Sequence, residues 1–400
     1  MTRRYFVESA LASAGARPQK TKSSKVPRNE FDYVDWSWMR WQRITGDRRP
    51  EIAGEQTGKA ELIELAPKER KNWPARREAF RKLLAQFTGS APARNPPLSP
   101  EVSGEYRNNG FIRRKVRYQS EAGEWIAAFL FIPDNRKGRT PAVLCPHQTT
   151  QAGKNSPAGL ADVAEQHTAL HLVRRGYVTL TWDALCFGER HNPASGHYGD
   201  AIPFYKRHPQ WSLLAKMIWD LSRSIDYLET LDFVDAARIG CVGHSHGGIT
   251  TLFGMALEPR IAAGASNCGF DTFRIDGNTF RWSRATALLP RLGFYTSSPY
   301  LNLDFYRAVP DSEVIRTPFE MHQMLALIAP RPLIMTASDD DFVFPNGGWS
   351  TRQSLARLAP LYRLLQAEDR LSSYYFRGGH SFPEDASSRA YAWLDRWLKS

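Results

Sequence analysis

The stretch IGCVGHSHGG, residues 239–248, constrains the fold of this 400-residue chain more than any other feature. A short apolar run leads into a serine and two histidines set among glycines, and the segment ITTLFGMAL that follows is typical of a helix. A G-x-S-x-G pattern between a buried strand and a helix predicts a sharp turn that exposes the serine, Ser245. Gly243 and Gly247 flank this turn, where a Cβ would collide with neighbouring backbone. The alternative is an ordinary strand-to-helix turn with a capping serine.

Segments typical of strands and helices alternate from Gly110 to the end of the chain. The predicted strands are residues 110–119, 124–133, 141–147, 177–183, 239–242, 261–269, 332–338 and 374–379. The predicted helices cover about residues 67–87, 160–174, 211–231, 249–257 and 387–398. Such alternation predicts an α/β fold, with a mostly parallel central sheet, an antiparallel start and helices on both faces.

The first hundred residues have a different composition and are predicted to be an appendage. Residues 1–30 are small, polar and basic, which indicates a disordered or degenerate signal-like tail. Residues 31–100 form an aromatic and helical segment that contains Trp36, Trp38 and Trp41 and ends in the proline-rich linker SAPARNPPLSP. The start of the chain is similar to a twin-arginine export signal, but its apolar stretch is short and interrupted by Glu8. We therefore expect a cytoplasmic location, with export as the alternative.

Charge and composition exclude some classes of function. Of the formal net charge of +12, residues 1–96 contribute +9, from 20 Lys and Arg against 11 Asp and Glu. No element that reads nucleic acid accompanies this basic excess, so we expect no nucleic-acid partner. No apolar run reaches membrane-span length, and we expect no membrane partner. The four cysteines show no C-x-x-C spacing, and the oligomeric state is left open.

The carboxyl ends of the predicted strands carry the remaining reactive side chains. Asp339, Asp340 and Asp341 follow the strand PLIMTAS, and His380 follows the last short strand. In open α/β sheets the working residues collect beyond these strand ends. A serine hydroxyl needs an imidazole to take its proton, and a carboxylate must orient that imidazole. The order serine, aspartate, histidine therefore predicts a catalytic triad of Ser245, one of the three aspartates, and His380.

Besides the triad, the sequence contains candidate residues for an oxyanion site and for a metal site. An oxyanion formed in acyl transfer needs two backbone N–H donors, which we predict to be those of His246 and of Gln148 or its neighbour Thr149. His167 and His171 stand four residues apart, but no acidic partner at metalloprotease spacing accompanies them. We therefore predict no metal and no cofactor.

Several of these motifs together resemble the dienelactone-hydrolase-like and acetylxylan-esterase-like branch of the α/β-hydrolase superfamily. The resemblance covers residues 105–400 and rests on LCPHQTTQAGKNSPAGLAD, TWDALCFGER, GCVGHSHGG, ALIAPRPLIMTASDDDFVFP and GGHSFPEDA. It implies the α/β-hydrolase fold, the acid at Asp341 with Asp340 as a possible substitute, and a cap formed by the insertion at about residues 271–320. The usual histidine-glycine pair of the oxyanion loop is His147-Gln148 here, which leaves the identity of the second donor open.

The resulting prediction is a serine hydrolase that cleaves a carboxylic ester through an acyl-enzyme intermediate. The expected substrate is an acylated carbohydrate or a small aryl or alkyl ester. Candidate substrate contacts come from the oxyanion loop, the loop after residue 185 and the aromatic cap, namely Thr149, His147, Glu189, Arg190, Trp282 and Tyr295. The alternatives are hydrolysis of a lactone or a carbon–carbon bond on the same triad, acyl transfer to an acceptor other than water, and a non-catalytic binding protein.

Overall fold

The computed structural model describes residues 65–89, 91, 95–196, 198–273, 287–290 and 319–400. The predicted tail, the tryptophan-rich part of the appendage and most of the predicted cap, including Trp282 and Tyr295, lie outside these residues. No helix within the described ranges is long and apolar enough to cross a membrane.

One nine-stranded sheet organises the described part of the chain, in the order β1-β2-β3-β5-β4-β6-β7-β8-β9. Its strands are β1 (Glu101–Asn108), β2 (Phe111–Glu121), β3 (Glu124–Pro133), β4 (Thr140–Leu144), β5 (Val178–Trp182), β6 (Val234–His244), β7 (Ile261–Asn267), β8 (Leu333–Ser338) and β9 (Leu371–Phe376). The pairs β1–β2, β2–β3 and β3–β5 are antiparallel, and every neighbouring pair from β5 to β9 is parallel. The predicted mostly parallel sheet with an antiparallel start is confirmed.

Helices cover both faces of this sheet. They are α1 (Trp73–Thr88), α2 (Thr168–Arg174), α3 (Ala201–Arg207), α4 (Leu213–Glu229), α5 (His246–Leu257), α6 (Met321–Ala326), α7 (Gly347–Leu364) and α8 (Glu384–Leu398). Successive residues of β4 point to opposite faces, so Leu144 joins the core under α4 and α5 while Val143 joins the core under α2 and α8. The two apolar cores therefore hold the sheet between two layers of helices, as predicted.

Helix α1 is the described part of the predicted appendage. It begins at Trp73, after a short 3₁₀ turn at Arg70–Asn72, and buries Phe80, Leu84 and Phe87. The Phe87 ring lies 5.9 Å from the ring of Phe319, which belongs to the same apolar core as the sheet. The helix therefore packs on the main domain.

The structure adds one strand before the predicted start of the sheet. All eight residues of β1 are exposed, and the strand pairs only with β2 at one edge. With neither face buried, its sequence has no alternation of apolar and polar residues that could have indicated a strand. The sheet consequently begins at Glu101, four residues before the predicted domain boundary at residue 105.

The helices show differences of the same kind. The predicted helix at residues 160–174 is shortened to α2, since Asp162 has a φ of 61°, which an α-helix cannot contain, and Ala164–Gln166 form a 3₁₀ turn. Helix α7 was not predicted, because it starts with two glycines and contains Pro360. In both regions the residues that favour turns and the apolar periodicity indicate different helix boundaries.

Candidate active site

The turn between β6 and α5 holds Ser245 in a strained conformation. Ser245 alone joins the strand to the helix, with φ of 55° and ψ of −120°. A Cβ on Gly243 would lie 2.4 Å from the carbonyl carbon of Gly247, and a Cβ on Gly247 would lie 2.3 Å from the carbonyl oxygen of Pro146. Both positions therefore require glycine, and the turn has the geometry of a nucleophile elbow.

Loops at the carboxyl ends of β6, β8 and β9 bring Ser245, Asp341 and His380 together. His380 Nε2 lies 2.7 Å from Ser245 Oγ, and His380 Nδ1 lies 2.9 and 3.1 Å from the two carboxylate oxygens of Asp341. Because a carboxylate only accepts hydrogen bonds, the proton of the neutral imidazole lies on Nδ1, and Nε2 accepts from the serine hydroxyl. This is the tautomer that a general base for Ser245 requires.

The carboxylate of Asp341 is buried and fully hydrogen-bonded. Its Oδ1 accepts the backbone N–H groups of Val343 and Phe344 at 2.7 and 2.8 Å, in addition to the bond from His380. Burial alone would raise the pKa of Asp341, but the hydrogen bonds from His380 and from these two N–H groups hold its pKa below the ordinary value. The group therefore stays charged and can stabilise a protonated His380.

The two neighbouring aspartates face other partners. Asp340 Oδ1 accepts from Ser338 Oγ at 2.6 Å and from the N–H groups of Gly378 and Gly379 at 2.9 and 3.0 Å, which lowers the pKa of Asp340. Asp339 forms a two-pronged ion pair with Arg352 at 2.7 and 2.9 Å. Asp340 thus fixes the loop that carries the imidazole, and Asp341 alone of the three contacts the imidazole.

The predicted oxyanion donors lie on two segments in contact at the elbow. His246 is the first residue of α5, so its N–H has no partner within the helix and lies at the positive end of the helix dipole. The loop after β4 runs beside it, as the short distance between the Gly247 position and Pro146 shows. The side chain of Gln148 is buried and turned into its own loop, where it donates to Ser156 Oγ at 2.7 Å and to Asp162 Oδ2 at 3.0 Å. It holds the loop in place and leaves the oxyanion role to the backbone.

The rings of His147 and His246 pack inside the protein. The His246 ring lies 5.6 Å from the Phe187 ring and 6.0 Å from the His147 ring. Burial, with a contribution from His147, lowers the pKa of His246 to about 3. His147 accepts from the N–H of Ala184 through Nε2 at 3.2 Å and donates from Nδ1 to the carbonyl of Gln148 at 2.6 Å, and burial lowers its pKa. Both rings pack against Phe187 in the interior, and their lowered pKa values favour the neutral form.

A second group of charged residues, the ion cluster, comprises the half-buried Glu124 and the buried side chains of Arg190, Lys216 and Asp220. Arg190 donates to Asp220 at 2.6 Å and also bonds Glu124, while Lys216 lies 2.8 Å from Asp220 and 3.0 Å from Glu124. The Arg190 side chain is 6% exposed, and its carboxylate partners raise its pKa despite burial. The predicted substrate contact of Arg190 is therefore not supported, because its guanidinium is used within the fold.

Glu189 also contacts lysines of the chain itself. Its carboxylate bonds the buried Lys154 and lies 3.0 Å from Lys115, although its side chain is 49% exposed. Lys154 in turn lies 2.7 Å from the buried carboxylate of Asp183. Glu189 therefore closes an ion pair with these two lysines, and its predicted contact with substrate stays a prediction. Thr149 is exposed next to Gln148, and its side chain bonds the hydroxyl of Tyr198.

The described residues hold one group of three metal-type ligands close together, and it overlaps the triad. Cys268, Asp341 and His380 offer atoms within 4.8 Å of one another. Asp341 and His380 are hydrogen-bonded to each other, and burial raises the pKa of Cys268 well above its ordinary value, so its thiol stays protonated. His167 bonds the carbonyl of Ala161, and His171 bonds the hydroxyl of Tyr391.

Sequence reasoning missed two residues beside the triad. Asn267 ends β7 and is fully buried between the loops of Ser245 and His380. Phe342 is 48% exposed, and its ring lies 6.0 Å from that of His380. Asn267 lies at a strand end, as Asp341 and His380 do, so its position in the sequence could have indicated it. Its side chain could not, because asparagine is not one of the common catalytic residues.

Comparison with known sequences identifies a matching family and a similar protein. Residues 134–359, more than half of the chain, match the family described as "Glucuronyl esterase, fungi". The 4-O-methyl-glucuronoyl methylesterase of Phanerochaete carnosa is 24% identical over 338 residues, which are 82% of this chain and 76% of that protein.

Comparison with solved structures identifies proteins of similar fold. A glucuronoyl esterase from Solibacter usitatus matches with a TM-score of 0.64 at 20% identity, over 83% of this chain and 96% of that one. A glucuronoyl esterase from Teredinibacter turnerae matches with a TM-score of 0.61 at 18% identity, over 90% of this chain and 98% of that one. These structures confirm the predicted α/β-hydrolase fold class.

Proposed function

Because the chain belongs to the glucuronyl esterase family, we propose that it hydrolyses esters of a uronic acid, with Ser245 as nucleophile, His380 as base and Asp341 as orienting acid. Family membership also confirms the broader prediction of a serine hydrolase of carboxylic esters. The observation that supports the three roles is the unbroken chain of hydrogen bonds from Ser245 Oγ through the imidazole to Asp341.

In the first half of the proposed reaction, Ser245 Oγ attacks the ester carbonyl while its proton moves to His380 Nε2. The imidazolium keeps its Nδ1–H bond to Asp341, whose carboxylate stays charged and stabilises the cation. The carbonyl oxygen becomes an oxyanion, which the N–H groups of His246 and Gln148 would bind at the positive end of α5. His380 then gives its proton to the leaving alcohol as the bond to the acyl carbon breaks.

The second half repeats these steps with water. His380 takes a proton from water, the resulting hydroxide attacks the acyl-enzyme, and the same proton returns to Ser245 Oγ as the acid leaves. One ester and one water give one alcohol and one carboxylic acid. No step requires a metal or an organic cofactor.

The names of the relatives suggest which half of the ester is the sugar. In a 4-O-methyl-glucuronoyl ester the sugar carries the carboxyl group, so it forms the acyl half, and the leaving group is an alcohol. We propose the same division for this chain. The substrate class is thereby narrower than the acylated carbohydrates and simple esters expected from sequence.

The exposed ring of Phe342 supports a further detail on the alcohol side. His380 must reach the leaving oxygen, and Phe342 presents an exposed aromatic face 6.0 Å from the imidazole. A buried phenylalanine, Phe344, lies 5.8 Å from the same imidazole and belongs to the core. We propose that Phe342 contacts a large or aromatic leaving alcohol.

The substrate proposal is tested with esters that share one half. Benzyl glucuronate and benzyl acetate have the same leaving group, so a difference in kcat/KM reports the acyl half alone. We expect the glucuronate to be preferred by at least about tenfold, which corresponds to roughly 1.4 kcal/mol. Equal rates, or hydrolysis of lactones or diketones in place of both esters, would contradict the proposal. Ser245→Ala controls for background hydrolysis.

The role of Phe342 is tested with benzyl and methyl glucuronate. Phe342→Ala should reduce the preference for the benzyl ester by about two- to tenfold, since aromatic contacts contribute about 0.5–1.5 kcal/mol. The matched control is Tyr106→Ala, which removes an exposed ring from β1 at the opposite edge of the sheet. An unchanged preference in Phe342→Ala would place the leaving group elsewhere.

The domain division and the cellular location also remain proposals. We propose an appendage up to about residue 100, a cap at about residues 271–320, and a hydrolase domain that now starts at Glu101. A cytoplasmic location and the lack of a nucleic-acid partner stay predictions from the sequence. Fusion of residues 1–30 to a reporter of twin-arginine export would decide between the cytoplasm and export.

A further inference from the structure

Asn267 contacts the segments that carry two members of the triad. Its backbone carbonyl accepts the N–H of Ser245 at 2.9 Å, and its side-chain Nδ2 donates to the carbonyl of Ser381 at 2.8 Å, directly after His380. The same Nδ2 lies 2.7 Å from Nδ1 of His244, directly before Ser245. Its Oδ1 accepts from Thr336 Oγ1 at 2.6 Å, in β8, the strand that leads to Asp341.

The sheet places these side chains in one row. In the parallel register His244 of β6 pairs with Asn267 of β7, which pairs with Thr336 of β8. All three are buried, and Asn267 is fully inaccessible to solvent. A row across three neighbouring strands, just under the loops of the triad, is therefore joined by one amide.

The partners of this amide determine the protonation of His244. The carbonyl of Ser381 can only accept, so the atom facing it must be the NH₂ group of Asn267. One N–H of that group serves Ser381 and the other serves His244, which makes His244 Nδ1 an acceptor. The proton of the neutral His244 ring consequently lies on Nε2.

His244 is in direct contact with the base of the triad. The two ring centroids lie 4.6 Å apart, and the His244 ring also stacks over Phe382 at 6.3 Å. The titratable groups that face it are His380 and, beyond that ring, Asp341, while Asn267 and Phe382 are uncharged. Burial, and then His380, lower the pKa of His244 well below its ordinary value. A charged His244 would oppose the positive charge that His380 gains during catalysis.

We propose that Asn267 is a positioning residue that fixes the Ser245 and His380 loops relative to each other and keeps His244 neutral beside His380. This inference rests on the proposed roles of Ser245 and His380. It assigns two functions to Asn267. Its backbone carbonyl accepts from Ser245 and its side-chain NH₂ donates to Ser381, which holds the two loops, and the second N–H of the NH₂ group prevents a proton from binding to Nδ1 of His244.

The first test is Asn267→Ala, with Ser266→Ala as the control. Ser266 is the neighbouring residue on β7, is equally buried, and donates one bond to the carbonyl of Gly248. Asn267→Ala should lower kcat by about 10- to 100-fold, the range known for residues that orient a reactive group, with KM changed less than about twofold. It should slow fluorophosphonate labelling of Ser245 by a similar factor. An unchanged kcat in folded Asn267→Ala, or an equal loss in Ser266→Ala, would overturn the proposal.

A second pair of variants serves if Asn267→Ala does not fold. His244→Gln keeps an acceptor for the Asn267 N–H, whereas His244→Leu has similar size and no acceptor. The labelling rate of His244→Gln should exceed that of His244→Leu by at least about tenfold. Equal rates in the two variants would contradict a role for this hydrogen bond.

Nitrogen NMR of ¹⁵N-histidine protein separates this proposal from the proposed function. The His244 signals should show a proton on Nε2 and none on Nδ1, without change between pH 5 and pH 8. Titration of His244 within that range would overturn the proposal, even in an active enzyme. If the wild type neither labels nor hydrolyses any ester, the proposed function fails, while the tautomer of His244 still reports whether Asn267 holds it.

Discussion

The active site and the ion cluster are two buried polar networks that use similar side chains for different ends. In the ion cluster every charged group faces one of opposite sign, as Arg190 faces Asp220 and Lys216 faces Glu124. In the active site the single negative charge stays on Asp341, which orients the neutral imidazole of His380, and this imidazole accepts from the neutral hydroxyl of Ser245. The positive and negative charges of the ion cluster therefore balance. The negative charge of Asp341 gains a positive partner only when His380 takes the proton of Ser245.

Their surroundings differ in the same sense. The active site has a strained turn at Ser245, which costs stability in the free protein, and buried histidines whose pKa values are lowered. In the ion cluster Lys216 and Asp220 pair with each other and with further groups of opposite charge. Buried charges alone therefore do not identify a reactive site. In this protein the reactive site is the network with an unbalanced charge and a strained backbone turn.

The largest expected difference concerns the two adjacent aspartates. Asp341→Asn keeps the shape of the acid but favours the wrong tautomer of His380, and should lower kcat by about 10⁴-fold. Asp340→Asn alters only the support of the Gly378–Gly379 turn, and its loss should be far smaller. Steady-state kinetics of both variants checks this. A larger loss in Asp340→Asn than in Asp341→Asn would move the acid to Asp340.

The next effect breaks the ion cluster and leaves the active site intact. Arg190→Met should lower the free energy of unfolding by about 3–5 kcal/mol, because it removes one of the two cations that face the buried Asp220 and leaves the cluster with an uncompensated negative charge. The kcat/KM of the folded enzyme should stay near that of the wild type. Urea unfolding and kinetics measure the two effects separately.

The control for that variant is Arg81→Met. Arg81 pairs with Glu78 on an exposed helix surface, where solvent screens the ion pair, so we expect little change in stability. A stable but inactive Arg190→Met protein would instead assign Arg190 to substrate binding, as the sequence first suggested.

The smallest expected effect is a pH dependence of stability that arises from His246, next to Ser245. The folded-state pKa of His246 is about 3, against about 6.5 when unfolded, so between these values the unfolded chain binds a proton that the folded chain does not. Stability is fully present above about pH 6.5 and falls by about 1.4 kcal/mol per pH unit for this residue as the pH drops. Urea unfolding of the wild type and His246→Gln between pH 7.5 and pH 5 should show a shallower slope in the variant. Identical slopes would contradict the buried neutral ring.

The same contrast explains what the sequence could predict. The elbow, the aspartate run and the final histidine follow strands in fixed patterns, because local backbone geometry restricts which residues fit there, as with Gly243 and Gly247. Arg190 stands 30 residues from Asp220 and 66 from Glu124, and no local pattern links them. Its assignment to the pocket followed from its position on a loop alone.

Asn267 is a residue whose role the sequence alone could not indicate. Its contact with Ser381 spans 114 positions, and its value lies in the register of three strands that only the folded sheet defines. Strand β1 was missed for a related reason, since an exposed edge strand shows no apolar alternation. Sequence patterns predict elements and reactive residues well, and they predict the contacts between distant residues poorly.

The most direct test of the central claim is fluorophosphonate labelling followed by intact-mass measurement, on the wild type and on Ser245→Ala. One label per wild-type molecule and none on the variant is expected, together with a loss of ester hydrolysis of up to about a million-fold. Labelling of the variant at another residue, or full hydrolysis without Ser245, would contradict the assignment of Ser245 as the nucleophile.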